Sequence, residues 1–309
     1  MESSHRLIHF IDKKAIEKKS QRKTKTDVIV RSLLFLLALL SSSGVIFIIL
    51  FIAIKGIEPF VKSYEIDGVS YHVSFWHFLI GNKWENGIAN YGAGYIVLNT
   101  IYLTFLTLLL TAPISIMTAL VIVKMTPKAI GGFLNGTIEI LASVPSVIYG
   151  MFGQSVITSL VKNMANFFHF QSAGGLSTLA VVIVLTMMSL PSVTMLSISA
   201  IRSVDSKLEL GSLALGASRS ETNFRVVLSS SKSGIFAGLI LGTSRALGEA
   251  TAVTMVCGNA GSGPNFNLFS TTRTLTTTML TGLSEASGLK YDIKFSVGLL
   301  LIFIILLSN

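Results

Sequence analysis

Long runs of apolar residues, separated by short polar segments, form the dominant pattern along this chain. A bilayer core about 30 Å thick is crossed by a helix of about 20 mostly apolar residues. Five runs reach that length and a sixth is shorter, so the pattern predicts an all-α, polytopic membrane bundle of six transmembrane helices. The predicted spans are residues 28–54, 95–123, 130–161, 176–201, 234–257 and 295–307.

The third, last and first of these runs depart from a simple membrane-spanning helix or could be mistaken for another kind of segment. Pro145 lies inside the long third run, and a proline removes a helical hydrogen bond, so a break is expected there. The run 295–307 is too short to cross comfortably, which indicates either a clipped C-terminus or local thinning of the bilayer. The first run is far longer than the apolar core of a cleavable signal peptide, so it is predicted to be the first membrane helix.

Basic residues are distributed asymmetrically between the two sides of the predicted bundle. Of the 24 Lys and Arg residues, sixteen lie in the tail 1–31 and in the loops 124–128 and 202–232. The positive-inside rule therefore places both termini in the cytoplasm. The tail is either a basic amphipathic helix on the inner leaflet or a solvated segment that only sets topology. After it we expect a first helix with an extracytoplasmic insert, 32–93, and a transmembrane domain, 94–309.

The composition excludes several classes of protein. Apolar residues make up 51% of the chain and charged residues only 13%, against about 25% charged in an ordinary soluble domain. A water-soluble enzyme is therefore excluded. The net charge of +9 is accounted for by membrane topology, so no nucleic-acid partner is predicted. The single cysteine, Cys257, and the scattered histidines predict neither a disulfide framework nor a metal site.

The insert carries a predicted hairpin and a group of aromatic residues. Asp67-Gly68 stands between two short alternating segments and is typical of a tight hairpin turn. The aromatic residues favour an interfacial belt at the membrane surface, with a docking surface for an outside partner as the alternative. They are Phe75, Trp76, Phe78, Trp84 and Tyr91.

Three ionisable residues fall inside predicted spans, namely Glu139, Arg245 and Glu249. A charge at the bilayer centre costs at least about 2.5–3.5 kcal/mol, so each needs a partner or a function. Arg245 and Glu249 are four residues apart on one predicted helix and are expected to pair. The pair either fixes helix packing or serves an anion path. The second interpretation is favoured, because a guanidinium offers planar, directional donors to an oxyanion.

Further polar residues complete the predicted substrate path. Ser244 and Thr251 could supply neutral donors beside Arg245, while Glu139, Ser143 and Ser146 share one face of the third span if it runs straight. The carboxylates would repel an anion unless they were paired or protonated.

Glycines on the fifth span predict close helix packing. Gly234, Gly238 and Gly242 recur every four residues and share a stripe with Arg245. Such a stripe lets a second helix approach closely.

The loop 202–232 contains signals for secondary structure, which are not typical of a simple connector. It predicts a short helix, a turn at Gly216, and a second short helix that starts near Ser218 with Ser218 and Glu221 as a capping box. Its exposed leucines suit contact with a cytoplasmic partner, and the alternative is an amphipathic hairpin resting on lipid.

This loop resembles the coupling loop of the membrane subunits of ABC importers, in which Glu-Ala-Ala is followed after three residues by Gly. Here Leu210 occupies the usual Glu position and Glu209 stands one residue earlier, whereas residues 212–217 fit well. The resemblance implies contact with an ATPase through Glu209, Leu213, Leu215, Gly216, Ala217 and Arg219.

Two further stretches, 139–150 and 244–253, resemble the signature spans of phosphate importer permeases, and the segment around residues 78–92 is similar to the PstC type. The resemblance covers about residues 74–307. It implies a type I ABC importer fold in the bacterial cytoplasmic membrane and phosphate passage near Arg245 and Glu249. The implied partners are a PstA-type permease, a PstB-type ATPase dimer and an extracytoplasmic phosphate-binding protein.

No nucleotide-binding loop of the Gly-xxxx-Gly-Lys-Ser/Thr type occurs in the chain, so no cofactor and no enzymatic activity are expected of it. ATP would be bound by the partner ATPase. Two alternatives stay open from the residues: a permease for another oxyanion, such as sulfate or molybdate, or a stand-alone secondary anion transporter. A third, a scaffold subunit that transports nothing, is also compatible with the pattern.

Overall fold

The computed structural model describes residues 2–66, 68–85 and 90–308, with side chains from residue 27 onward except residue 66. The prediction of an all-α bundle is confirmed, with four very short strands in the insert. The strands are β1 (Tyr64–Ile66), β2 (Val69–Tyr71), β3 (Trp84–Glu85) and β4 (Asn90–Tyr91). The helices are α1 (Glu2–Val61), α2 (Phe75–Ile80), α3 (Gly94–Leu120), α4 (Lys128–Ser143), α5 (Ser146–Phe152), α6 (Thr158–Phe167), α7 (Thr178–Arg202), α8 (Ser206–Ala214), α9 (Arg219–Glu221), α10 (Leu228–Gly248), α11 (Thr251–Val256), α12 (Leu275–Leu280) and α13 (Leu289–Ser308).

Five helical stretches of the described chain are long and apolar enough to cross a membrane. A sixth crossing results if the bent pair Lys128–Ser143 and Ser146–Phe167 counts as one span, with 89° between its halves. The break expected at Pro145 is therefore present. The five stretches are Asp27–Val61, Gly94–Met125, Thr178–Arg202, Arg219–Gly248 and Leu289–Ser308.

The chain forms two compact units, residues 1–54 and residues 55–309. In the first unit the described side chains are exposed apolar groups such as Leu40 and Phe47, as expected of a helix whose surroundings are lipid. The predicted amphipathic face of the basic tail lies outside the described side chains.

The second unit is built around α3 and α7, whose facing sides are buried. Short π-helical turns extend the helices at residues 121–125, 153–157 and 222–227. One apolar core lies between α7, α11 and the α5–α6 segment, and another joins the insert to the beginning of α3 and to α13.

The predicted hairpin of the insert is confirmed. Strand β1 pairs antiparallel with β2, with Tyr64 opposite Tyr71 and Ile66 opposite Val69. Residue Asp67 of the predicted turn lies outside the described residues.

The interfacial belt predicted for the aromatic residues is wrong for three of them. Phe78 is only 2% exposed, and Trp84 and Tyr91 are also buried, with their ring centroids 5.0 Å apart. These rings form the core that joins the insert to α3 and α13, whereas Phe75 and Trp76 are exposed. Burial raises the pKa of the Tyr91 phenol to about 12.

The last helix is longer than the predicted run 295–307, because two charged residues at its beginning are accommodated inside the protein. The Tyr64 hydroxyl donates to Asp292 Oδ2 at 2.7 Å, and Lys55 Nζ lies 3.6 Å from Asp292 Oδ1. Lys294 Nζ donates to the carbonyl oxygens of Thr278 and Thr281. The predicted run began only after these charged residues, so the predicted helix was too short.

The fifth span, predicted as a single helix over 234–257, is also corrected. Its helix begins at Arg219 and ends at Gly248. Glu249 has an extended backbone with φ −75° and ψ 116°, and a separate short helix, α11, follows.

The glycine stripe of α10 faces α7. A Cβ at Gly234 would lie 2.7 Å from the Ala200 Cβ, and one at Gly238 would lie 3.0 Å from the Leu196 Cβ. At Gly242 it would lie 2.6 Å from Val193 Cγ2. These three approaches explain why larger residues do not fit along this face.

Replacing Gly242 by alanine is expected to lower the thermal stability of the purified protein, because overpacking a tight contact costs about 1–3 kcal/mol. Gly248→Ala is the matched control on the same helix, since no atom lies within 4 Å of the added Cβ. Equal unfolding temperatures for the two variants in a thermal melt would contradict the role of this contact.

Candidate functional site

The second unit contains two helix breaks that are each followed by a short helix. One separates α4 from α5 at residues 144–145, and the other separates α10 from α11 at residues 249–250. The helices that follow the breaks pack closely, because a Cβ at Gly150 would lie 2.9 Å from the Ala252 Cα. In membrane proteins, interrupted helices of this kind occur where backbone is buried in protein or lines a cavity.

Arg245 lies in the last turn of α10, directly before the second break. Its Nη1 donates to Ser192 Oγ on α7 at 2.8 Å, and the residue is half-buried. Tyr149, on α5, lies within electrostatic reach of the guanidinium. No carboxylate of the described residues lies within ion-pair distance of Arg245. The positive charge of Arg245 is therefore not neutralised by an acidic side chain.

The predicted pairing of Arg245 with Glu249 is wrong. Because α10 ends at Gly248, Glu249 leaves the helical stripe that was to align the two side chains. Glu249 Oε1 instead accepts a hydrogen bond from the backbone N–H of Ala252 at 3.0 Å, which caps the beginning of α11. The sequence pattern could not reveal this, since the four-residue spacing pairs side chains only on an unbroken helix.

The other predicted path residues are distributed around the two breaks. Ser146 and Thr251 are the first residues of α5 and α11, at the two breaks. Ser244 Oγ donates to the carbonyl oxygen of Ile240 at 3.1 Å within α10.

Glu139 and Ser143 lie on α4, before the first break. Glu139 is exposed and accepts a hydrogen bond from Asn135 Nδ2 at 2.6 Å. Ser143 Oγ donates to the carbonyl oxygen of Ile140 at 2.7 Å. The straight face that was to join Glu139 to Ser146 does not exist, because the chain bends by 89° between them.

Ser192 is the site residue that the sequence interpretation missed. It follows Pro191 in the middle of an apolar helix, and a hydroxyl beside a proline inside a span is the signal that could have identified it. Together, the hydroxyl and the guanidinium form a donor-rich group suited to the oxygens of an anion.

A second candidate region is the loop hairpin, defined here as residues 206–222. Helix α8 ends in a turn at Gly216, whose φ of +88° favours glycine. The predicted capping box of Ser218 and Glu221 is present. The second helix is not short, however, because it continues without a break from Arg219 to Gly248.

Leucine side chains project from the hairpin. Leu215 is 92% exposed, and Leu213 is also exposed. The backbone N–H of Ala217 donates to the carbonyl oxygen of Ser212 at 3.2 Å, which closes the end of α8.

Glu209 of the hairpin forms an ion pair with Lys124, at the end of the α3 extension. The two side chains are only 23% and 17% exposed. They line a cleft of about 540 Å³ together with Leu213, Arg219 and Asn223 among other residues. Lys124 had been interpreted only as a topological charge, and the ion pair shows that it also holds the hairpin against the bundle.

Comparison with known proteins identifies related membrane subunits. The family model described as "Binding-protein-dependent transport system inner membrane component" matches residues 97–309. The chain is 32% identical to the probable ABC transporter permease protein YqgH of Bacillus subtilis, over 86% of this chain and 82% of that protein. It is 31% identical to the phosphate transport system permease protein PstC of Pasteurella multocida, over 74% and 75% of the two chains.

A solved structure supports the same fold. The chain aligns with a bacterial ABC transporter involved in the import of the acidic polysaccharide alginate, with a TM-score of 0.58 and 18% sequence identity. The alignment covers 91% of this chain and 95% of that chain. The type I importer architecture expected from the sequence is therefore confirmed.

Glu209→Gln is expected to loosen the loop hairpin, because it leaves the Lys124 charge without its partner in a half-buried position. The ion pair is worth about 1 kcal/mol, so proteolysis within residues 206–222 should become about fivefold faster. The charge swap of Lys124→Glu with Glu209→Lys should restore most of the protection, whereas Lys128→Gln, which alters an exposed lysine, should change little. A swap that cleaves as fast as Glu209→Gln would rule out a direct pair.

Proposed function

We propose that this chain, which belongs to the family of binding-protein-dependent transport system inner membrane components, is the PstC-type permease subunit of an ATP-driven phosphate importer. The sequence identity to a PstC protein over three quarters of the chain supports phosphate as the transported anion. Membership of a binding-protein-dependent family leaves the stand-alone secondary transporter without support. The chain would form half of the translocation path in the cytoplasmic membrane, with its N-terminus in the cytoplasm.

The observation that carries the proposal is the environment of Arg245. A half-buried guanidinium that has no carboxylate partner in the described part of the chain, and that is fixed by Ser192 next to a helix break, offers charge and directional donors to a tetrahedral oxyanion. Phosphate would be bound by the N–H groups of Arg245 that Ser192 does not use, while Glu249 acts as a helix cap rather than as a ligand. Ser146, Thr251 and Ser244 would contribute neutral donors near the same breaks.

The loop hairpin is proposed to transmit the motion of the partner ATPases, to which ATP binds. Because its second helix is continuous with the helix that carries Arg245, the two regions lie on one helix of 30 residues, about 45 Å long. A displacement at Arg219 would therefore be conveyed to the substrate site. Rocking of the helix bundle could then open that site alternately to the two sides of the membrane. The proposed partners are a PstA-type permease, a PstB-type ATPase dimer and an extracytoplasmic phosphate-binding protein.

Arg245→Ala is expected to reduce phosphate uptake by about 100-fold, which is typical of the loss of a preorganised donor to an oxyanion. Arg245→Lys should also be impaired, by about tenfold, since a point charge lacks the planar donors. Uptake of labelled phosphate into vesicles with the complete importer, with and without ATP, measures this, while ATP hydrolysis and assembly should remain largely intact.

Two controls sharpen that measurement. Ser192→Ala should reduce uptake severalfold by releasing the guanidinium, whereas Ser199→Ala, an exposed serine two turns along α7, should not. Excess unlabelled phosphate should compete and sulfate should not. Parent-like uptake by Arg245→Ala would refute the assigned role, and equal competition by sulfate would refute phosphate as the specific cargo.

Leu215→Asp is expected to release the ATPase from the purified complex, because an exposed apolar contact would be replaced by a charge. Ser206→Asp is the control, since it adds the same charge to the exposed first turn of α8, where an acidic residue is favourable. Retention of the ATPase by both variants would contradict the docking role of Leu215.

A further inference from the structure

Arg273 is a second half-buried arginine that the proposed path does not use. It lies between α11 and α12, and its Nη2 donates to the carbonyl oxygen of Asn259 at 3.1 Å. Its Nε and Nη1 atoms are buried and have no hydrogen-bond partner in the described part of the chain. Buried donors of a charged group that lack acceptors are costly, so they are expected to have a ligand at some stage of function.

Lys294 adds a second cation to the same region. It is only 9% exposed, and Nζ donates to the carbonyl oxygens of Thr278 and Thr281, at the end of α12. Lys294 lies within electrostatic reach of Arg273. No described carboxylate forms an ion pair with either residue. Asp292 lies two residues before Lys294, but its carboxylate contacts Tyr64 and Lys55 instead. Among the described residues, the region therefore carries two positive charges that have no ion-pair partner.

Hydrogen bonds connect this region to the break that follows Arg245. Thr276 Oγ1, three residues after Arg273, donates to the carbonyl oxygen of Glu249 at 3.0 Å. The backbone N–H of Leu275 donates to Thr100 Oγ1 on α3 at 3.1 Å, and the preceding residue, Asn99, has a buried side-chain nitrogen without an acceptor. The two cations thus lie beyond the end of α10, which is the end farthest from the loop hairpin.

The insert covers the loop that Arg273 contacts. The backbone N–H of Trp84 donates to the carbonyl oxygen of Gly261 at 2.8 Å, and that of Gly263 donates to the carbonyl oxygen of Asn82 at 3.0 Å. In the topology proposed above, this is the extracytoplasmic end of the subunit. An anion released by a binding protein would pass this region before it reached Arg245.

We propose that Arg273, together with Lys294, forms a receiving site that binds the transported oxyanion on the extracytoplasmic side before it moves to Arg245. This inference rests on the proposed function. The three N–H groups on Nε and Nη1 and the Lys294 ammonium match the acceptor oxygens of a phosphate-like anion. The contact with Asn259 is made by Nη2 and leaves the N–H groups on Nε and Nη1 without a partner among the described residues, so it does not by itself explain why a guanidinium is present.

Phosphate-dependent thermal stability of the complete importer in phosphatidylcholine nanodiscs, without binding protein, tests the proposal. A ligand that binds the folded state raises the unfolding temperature with its concentration. Sodium phosphate should stabilise the parent relative to sodium chloride of equal ionic strength. The stabilisation should be reduced in Arg273→Gln, where only the Arg245 site would still bind phosphate, reduced less in Arg273→Lys, and unchanged in Lys290→Gln, which removes an exposed cation from the same helix as Lys294.

Uptake measurements separate failure of this inference from failure of the proposed function. Arg273→Gln should lower phosphate uptake about tenfold with normal assembly, and Lys290→Gln should not. If the parent takes up phosphate and Arg273→Gln matches it in uptake and in stabilisation, the receiving site is overturned while the function stands. A parent that takes up no phosphate overturns both.

The headgroup of an anionic lipid also carries a phosphate group that could bind to Arg273 and Lys294. Nanodiscs that contain phosphatidylglycerol should show the same response to added phosphate. If instead stability depends on phosphatidylglycerol and not on free phosphate, a lipid headgroup fills the site and the proposal is wrong.

Discussion

A charge held inside an apolar bundle must be compensated, and this constraint organises the second unit of the molecule. Asp292 is compensated by the Tyr64 hydroxyl and the Lys55 ammonium. Glu249 is compensated by the N–H group at the beginning of α11. Arg245 and Arg273 differ from these carboxylates, because their partners are a hydroxyl and a carbonyl oxygen, which are neutral. Positive charge therefore remains available at two places in the bundle.

The two positively charged places are linked by the same helix break. Ending α10 at Gly248 turns Glu249 away from Arg245 and leaves the Glu249 carbonyl oxygen free to accept from Thr276. A continuous helix would have satisfied that carbonyl internally and aligned Glu249 with Arg245. The interruption thus separates Glu249 from the guanidinium, and the Glu249 carbonyl oxygen fastens the Arg273 segment beside the break.

Rigid connection and close packing explain how a distant loop can act on this break. The helix from Arg219 to Gly248 joins the loop hairpin directly to Arg245, and its glycine stripe lies against α7, which carries Ser192. The Lys124–Glu209 pair holds the hairpin to the end of the α3 extension. A push on the hairpin therefore acts on two helices that both contribute to the site.

The sequence by itself determined the approximate places of the spans, the break at Pro145, the glycine face of α10, the hairpin of the insert and the capping box of Ser218, because these depend on residues a few positions apart. It also identified Arg245, since a charge in an apolar run is visible without coordinates. Only the tertiary structure decided the partners of the charged groups. Ser192 and Arg245 are 53 residues apart, and Tyr64 and Asp292 are 228 apart, so no local spacing relates them. For the same reason the sequence paired Arg245 with Glu249 and ended the last helix too early, whereas in the folded chain Arg245 contacts Ser192 and Asp292 contacts Tyr64 and Lys55.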